Sequence, residues 1–225
     1  MSNLFLTVLP LNLASTLSPG ILALAIILLG SKWHPKARTA VLLTGTIIVG
    51  VIIIILGSAL GQLVSAGLKP TATSAIFDTI IGIIFILFGV KTILIKEKKI
   101  KPSKADSGKQ IFKWFIIGIV ISATNFDAVF LSFTAAKEVS ESLLVNNASK
   151  ALLLFLNLFF FVLPSLLPLV LYIVFPKIAA PILNKINKYV LKYGQYIIFI
   201  IFIAFGLILI RQGIIFFWVK YKNSH

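Results

Sequence analysis

The sequence predicts an all-α polytopic membrane protein, six transmembrane helices in two inverted three-helix repeats. Three observations carry that prediction. Six long apolar stretches fill the 225-residue chain, which is 59% hydrophobic with a mean hydropathy of +1.07. Only 12% of the residues are charged, whereas soluble domains carry about 25%. The third and sixth stretches also match each other closely. In hydrocarbon an unpaired backbone N–H or C=O costs several kcal/mol, so each stretch must become a helix that satisfies itself. About 20 apolar residues cross a bilayer core of roughly 30 Å.

The expected spans are 4–30, 39–62, 74–95, 112–135, 151–175 and 194–218, in one membrane domain covering 1–225. No basic residue precedes the first span, and Gly30-Ser31-Lys32-Trp33 offers no small-x-small cleavage site, so it is expected to stay rather than be removed. Asn12, Ser15, Thr16, Ser18 and Pro19-Gly20 interrupt it. Pro19 lacks an N–H and clashes with the preceding turn, which kinks or breaks a helix, and Gly20 admits close backbone approach. The second span follows Trp33-His34-Pro35. Asp78 and Lys91 lie within a turn or so of the ends of the third span, where charged side chains snorkel to the headgroups.

The fourth span carries Ser122, Thr124, Asn125 and Asp127 at the place that matches the interruption of the first. Counted along a straight helix from Lys113, Asp127 is roughly 21 Å in, beyond the midplane. Asn157, alone in the fifth span, is expected to bond a neighbouring helix, and Pro164 and Pro168 are expected to bend that span. Before the sixth span, Ile178, Ile182, Ile186, Tyr189, Val190 and Tyr193 share one helical face, with Lys177, Lys185, Lys188 and Lys192 opposite. Such a helix lies in the headgroup plane; a connector packed on the bundle needs the same amphipathicity.

Ile80 to Val90 reads against Ile197 to Leu207 with eight of eleven positions identical, among them Phe85/Phe202 and Gly89/Gly206. A repeated unit of three spans returns inverted, because three is odd. The units are repeat one at 4–95, a basic linker at 96–111 and repeat two at 112–218. Inverted repeats are a recurrent transporter plan, with the binding site near the midplane where the halves meet.

Basic residues collect on the cytoplasmic side of membrane proteins. Loops one, three and five hold fifteen Lys/Arg and the opposite side six, with Lys137 counted among the six. Both termini are therefore expected outside the cytoplasmic membrane. The net charge of +15 is explained by those loops meeting anionic lipid headgroups, and nucleic acid is not an expected partner.

An intramembrane charge is a functional hypothesis by default. Ser15, Thr16, Ser18, Pro19, Asn125 and Asp127 are read as two facing halves of a polar site, and Asn12, Ser122 and Thr124 complete the candidate translocation set. Hydroxyls and amides between membrane helices also simply bond a neighbour, for about 0.6 kcal/mol each, so packing and binding both stay open for them. With no cysteine there is no thiol chemistry. His34 and His225 sit in loops or tails, so no metal site is expected. No hydrolytic or nucleotide-binding motif is present, and the sequence calls for no enzyme activity and no cofactor.

The chain also resembles a known group. Ser18-Pro19 in the first span, the basic first loop, Leu183-Asn184-Lys185-Ile186-Asn187-Lys188 and the close from Gly206 through Arg211 to Gly213 are similar to the GAP family. These are glycolipid- and sulfolipid-addressing membrane proteins of the lysine-exporter superfamily. The resemblance implies six spans in two inverted halves and the movement of glycolipids toward the cell surface. Family members often carry an acid before the proline of the first span, where this chain has Ser18.

The expected function is export of a lipid-linked, glycolipid or other amphiphilic small molecule, with Asp127 a candidate for proton coupling or headgroup binding. The rivals are an amino-acid or cation exporter of the same superfamily and a non-transporting accessory of envelope assembly. Whether copies of the chain associate into a homo-oligomer is left open.

Overall fold

A computed structural model describes residues 2–31, 33–65, 72–94, 111–143 and 146–222. They form eight helices: α1 (Ser2–Ser15), α2 (Pro19–Leu29), α3 (Pro35–Ser65), α4 (Ala72–Leu94), α5 (Ile111–Ala123), α6 (Phe126–Glu141), α7 (Asn147–Val174) and α8 (Ala179–Lys222). Four helices are long and apolar enough to cross a membrane alone: α3, α4, α7 and the Lys192–Trp218 part of α8. Two further pairs pass only together, α1 with α2 bent by 49° and α5 with α6 bent by 70°. The protein is thus all-helical with four to six candidate membrane spans. Of the expected linker at 96–111, all but Ile111 lies outside the described residues, as does the loop Gly67-Leu68-Lys69-Pro70.

The first break falls where Pro19 predicts it. Proline is tolerated at the first helical position, where its missing N–H had no partner to lose, and Pro19 opens α2. The second break departs from the expected unbroken helix over 112–135. No proline or glycine marks it. Instead the Thr124 hydroxyl donates to the Val120 carbonyl at 2.7 Å, and the Asn125 N–H bonds the Ser122 carbonyl at 3.3 Å. These bonds close the last turn of α5. Beyond the break the chain continues in helix to Glu141. Asp127 then stands at the joint between helices of 13 and 16 residues. Those are about 20 and 24 Å long at 1.5 Å per residue, so the straight-helix depth does not apply.

α3 lies beside both halves of this bent pair, running in the same direction. Gly45 packs on the backbone of Phe115 and Ile119 in α5, while a Cβ at Gly57 would stand 2.5 Å from the Phe133 carbonyl of α6. Small residues of this kind let membrane helices approach closely. A core of Val8, Leu11, Phe85, Leu131, Ala135, Val139 and Phe202 joins α1, α4, α6 and α8.

α4 packs at length only on α8 among the described residues. The two run antiparallel, and their contacts are reciprocal. A Cβ on Gly82 would meet the Gly206 carbonyl at 2.7 Å and Ile210 Cγ1 at 2.8 Å; one on Gly206 would meet the Gly82 carbonyl at 2.8 Å and Ile86 Cγ1 at 2.8 Å. Phe85 and Phe202 meet edge to face at 4.9 Å. The reciprocal glycine is Gly82, one heptad away from the Gly89 that sequence matching sets against Gly206.

α7 starts at an Asn146 cap, whose side chain accepts from the Ser149 N–H at 2.9 Å, and continues as one helix through Pro164 and Pro168. The amphipathic stretch ahead of the sixth span is not a separate connector but the opening of the 44-residue α8. Ala179 and Leu183 tie it to Leu29 of α2 and Leu169 of α7. Ile182, Tyr189 and Tyr193 remain exposed.

Candidate functional site

Both breaks come together. The Asn125 side-chain amide donates to the Ser18 hydroxyl, so the interruptions of the first and fourth spans touch. Ser18 is also the residue before α2, and Asn125 the residue before α6. Neither makes a side-chain capping bond to its helix. The first N–H groups of a helix have no intrahelical acceptor and carry about half a positive charge between them. Two uncapped helix N-termini therefore start from one point inside the bundle, an arrangement suited to an anion.

The hydroxyls around the first break satisfy the end of α1. Ser15 donates to the Asn12 carbonyl at 2.7 Å, Thr16 to Leu13 at 2.6 Å and Ser18 to Ser15 at 3.3 Å. They lie in the last turn of a broken helix, where carbonyls lose their i+4 N–H partners; the Leu13 carbonyl also accepts from the Thr16 N–H at 3.2 Å. Asn12 is buried and its side-chain oxygen has no partner.

Asp127 sits in the first turn of α6, half-buried, where a carboxylate favours the helix dipole. The Thr92 hydroxyl of α4 stands 3.5 Å from its Oδ2, and the charge of Lys91 acts on it. Lys91 does not simply snorkel away: its Nζ lies 5.1 Å from the Phe88 ring and 5.7 Å from the Phe126 ring, within cation–π range.

Two members of the expected set lie apart from the crossing contact. The Ser122 hydroxyl is buried and donates to Thr46 of α3 at 3.0 Å, a tie between helices. Thr124 is exposed and bonds its own helix. Asn157 joins α7 to α6 as expected, accepting from the Ser132 hydroxyl at 2.7 Å and donating to the Ser132 carbonyl at 2.9 Å.

A second polar centre escaped the sequence reading. Lys137, counted among the outer-side charges, is buried in α6 with 1% of its side chain exposed. Its Nζ lies 2.6 Å from Asp78 of α4, 2.7 Å from Glu141 and 3.3 Å from Glu138. Asp78 consequently does not snorkel to the headgroups; it is buried and paired. The available signal was the Lys137–Glu141 spacing of four on a helix. An expected span end at 135 hid it, because that placed both residues in a loop.

No curated protein and no solved structure matches the chain. The family model described as Sap, sulfolipid-1-addressing protein, matches residues 8–215, nearly the whole chain and both helix breaks. That description names an addressing role rather than a catalysed reaction. In agreement with the resemblance carried by Ser18-Pro19 and the Gly206–Gly213 close, the chain belongs to the sulfolipid-1-addressing protein (SfLAP) family.

Proposed function

We propose that the protein exports an amphiphilic lipid with an anionic headgroup across the cytoplasmic membrane by alternating access. The observation that carries this reading is the meeting of the uncapped N-termini of α2 and α6 at Ser18 and Asn125. Paired half-helix N-termini bind anionic groups in transporters with discontinuous spans. The family description names a sulfolipid, and a lipid with a sulfur oxyanion in its headgroup has the charge such a site takes. Asn12, Ser15, Thr16, Ser18, Pro19, Asn125 and Asp127 form the pathway in this reading, with Ser122 and Thr124 bracing the α5 end of the break.

Taking α1–α2 and α5–α6 each as one broken span gives six spans, and the run of α5 and α6 beside α3 from Gly45 to Gly57 supports this for the second pair. Each half then consists of a broken helix and two long helices, and the reciprocal antiparallel contact of α4 and α8 supports their inversion. The bias of basic residues places loops one, three and five inside and both termini outside. The exposed apolar face and lysines at the start of α8 suit an anionic membrane surface on the entry side.

Leaflet-resolved lipid analysis of cells with and without the protein tests the reading. The outer leaflet should lose an anionic glycolipid when the protein is absent. Asp127→Asn should reproduce that loss with expression and thermal stability near wild type. An unchanged outer leaflet, or proton-driven uptake of a labelled amino acid into inverted vesicles, overturns it.

A further inference from the structure

Lys137 is the most deeply buried charged side chain among the described residues, and it sits where α4 meets α6. We propose that Asp78, Lys137, Glu138 and Glu141 form a proton-exchanging latch that ties the α4–α8 pair to the rest of the bundle and releases it when the carboxylates are protonated. The motion it controls rests on the alternating-access reading above; the proton site itself stands on the geometry of the cluster.

The charges do not balance. Carboxylate oxygens of Asp78, Glu138 and Glu141 lie within 4.8 Å of one another around a single ammonium, a surplus of two negative charges if all three ionise. Like charges that close oppose joint ionisation. Among the described residues the nearby cations are directed elsewhere: Arg211 of α8 is exposed. The Lys150 ammonium of α7 donates to the Ser140 carbonyl at 3.0 Å, and α3 meets this part of α6 through Gly61, which packs on the Lys137 and Glu141 backbone.

Side-chain exposure rises from 1% at Lys137 to 10% at Asp78, 22% at Glu138 and 29% at Glu141, so Glu141 is the member of the cluster nearest the surface. One turn further inward on the same face of α6 stands Thr134, fully buried with a hydroxyl that has no partner. Residues four apart on a helix lie one above the other, so Thr134 lies beneath Glu138.

Position gives the cluster its mechanical role. α4 packs at length only on α8. It reaches α6 through polar contacts at two levels, Asp78 with Lys137 and Thr92 with Asp127, through Ile81 and Phe85 in the shared apolar core, and through Phe88, whose ring lies 5.0 Å from Phe130 and 6.1 Å from Phe126. Protons taken up by the crowded carboxylates remove charges that hold Lys137. The ionic bridge from α4 to α6 is then lost, which leaves the apolar core around Phe85 and the Phe88 contact as the surface on which the two-helix pair tilts. Proton release restores the bridge.

The test uses the full chain in lipid nanodiscs. Infrared difference spectra recorded between about pH 8 and pH 5 should show a carboxylic-acid C=O band from the shared carboxylates that Asp78→Asn or Glu141→Gln alters. Glu141, the most exposed member, gives the variant least prone to misfolding. The chain has no cysteine, so Leu87→Cys in α4 and Leu152→Cys in α7, both exposed, can carry spin labels. Their distance distribution should change over the same pH interval, and Asp78→Asn should hold the acid distribution at every pH. A missing acid band, a band that neither variant alters, or a pH-independent distance overturns the latch. Calorimetric binding of Mn2+ or Ca2+ that Glu141→Gln abolishes also overturns it, in favour of a metal site. Normal lipid distribution in cells lacking the protein removes the transport reading without touching the infrared result, so the two failures are distinguishable.

Discussion

Asn125 reaches from one broken span to the other and donates its side-chain amide to the hydroxyl of Ser18. That single bond joins the residue before α2 to the residue before α6, two positions 107 apart in the chain. Polar ties between membrane helices are worth about 0.6 kcal/mol on average, so the bond is too weak to hold the fold. Asn125→Ala should therefore lower thermal stability in detergent by less than about 1 kcal/mol. Export should fall at least about tenfold, the effect of misplacing the crossing by roughly 1.4 kcal/mol. A large stability loss with normal export would make the contact a structural tie only.

Gly82 and Gly206 pack backbone against backbone at the centre of the α4–α8 contact. Neither has space for a methyl group, because each Cβ would stand within 2.8 Å of the other residue's carbonyl. Gly206→Ala should cost about 1–3 kcal/mol, the usual price of overpacking. Because both residues share one contact, Gly82→Ala with Gly206→Ala should cost less than the two single losses together. Chemical denaturation of the four proteins measures the coupling.

Much of this architecture could be read from residue order, and what could not has a physical cause. Pro19 marks the first break together with Gly20 and the run of hydroxyls before it, whereas Pro164 and Pro168 stay inside α7. The second break has no such marker; it depends on hydroxyl and amide bonds at Thr124 and Asn125 that become visible only once α5 and α6 are placed. Missing that bend shortened the expected fourth span to 135 and put Lys137 in a loop. Hydrophobicity finds a span by its apolar content and is blind to a lysine neutralised by partners on another helix. Asp78, 59 residues from Lys137 in sequence, was such a partner. The Ser18–Asn125 hydrogen bond, in contrast, joins two polar interruptions that are both visible in the sequence.

Asn157 offers a contrast with Asn125. It is fully buried, and both ends of its amide bond Ser132 of α6, which makes it a tie between helices. Asn157→Leu should cost about 0.6–1.7 kcal/mol of stability and leave export unchanged. Measuring both quantities on one preparation separates packing polarity from pathway polarity, and a loss of export beyond the loss of folded protein would place Asn157 in the pathway.

Lys137 and Asp78 form a buried pair at 2.6 Å, with 1% and 10% of their side chains exposed. Removing one partner of a buried ion pair leaves the other uncompensated, which costs about 3–5 kcal/mol. Lys137→Met should therefore destabilise the protein strongly, because three carboxylates then face one another without an ammonium. Asp78→Asn should be milder, since Glu138 and Glu141 still hold Lys137. Adding Asp78→Asn to Lys137→Met should recover part of the loss by removing one of the stranded charges. Thermal denaturation of the four proteins decides this, and a Lys137→Met variant as stable as wild type would mean that the ammonium does not balance the carboxylates around it.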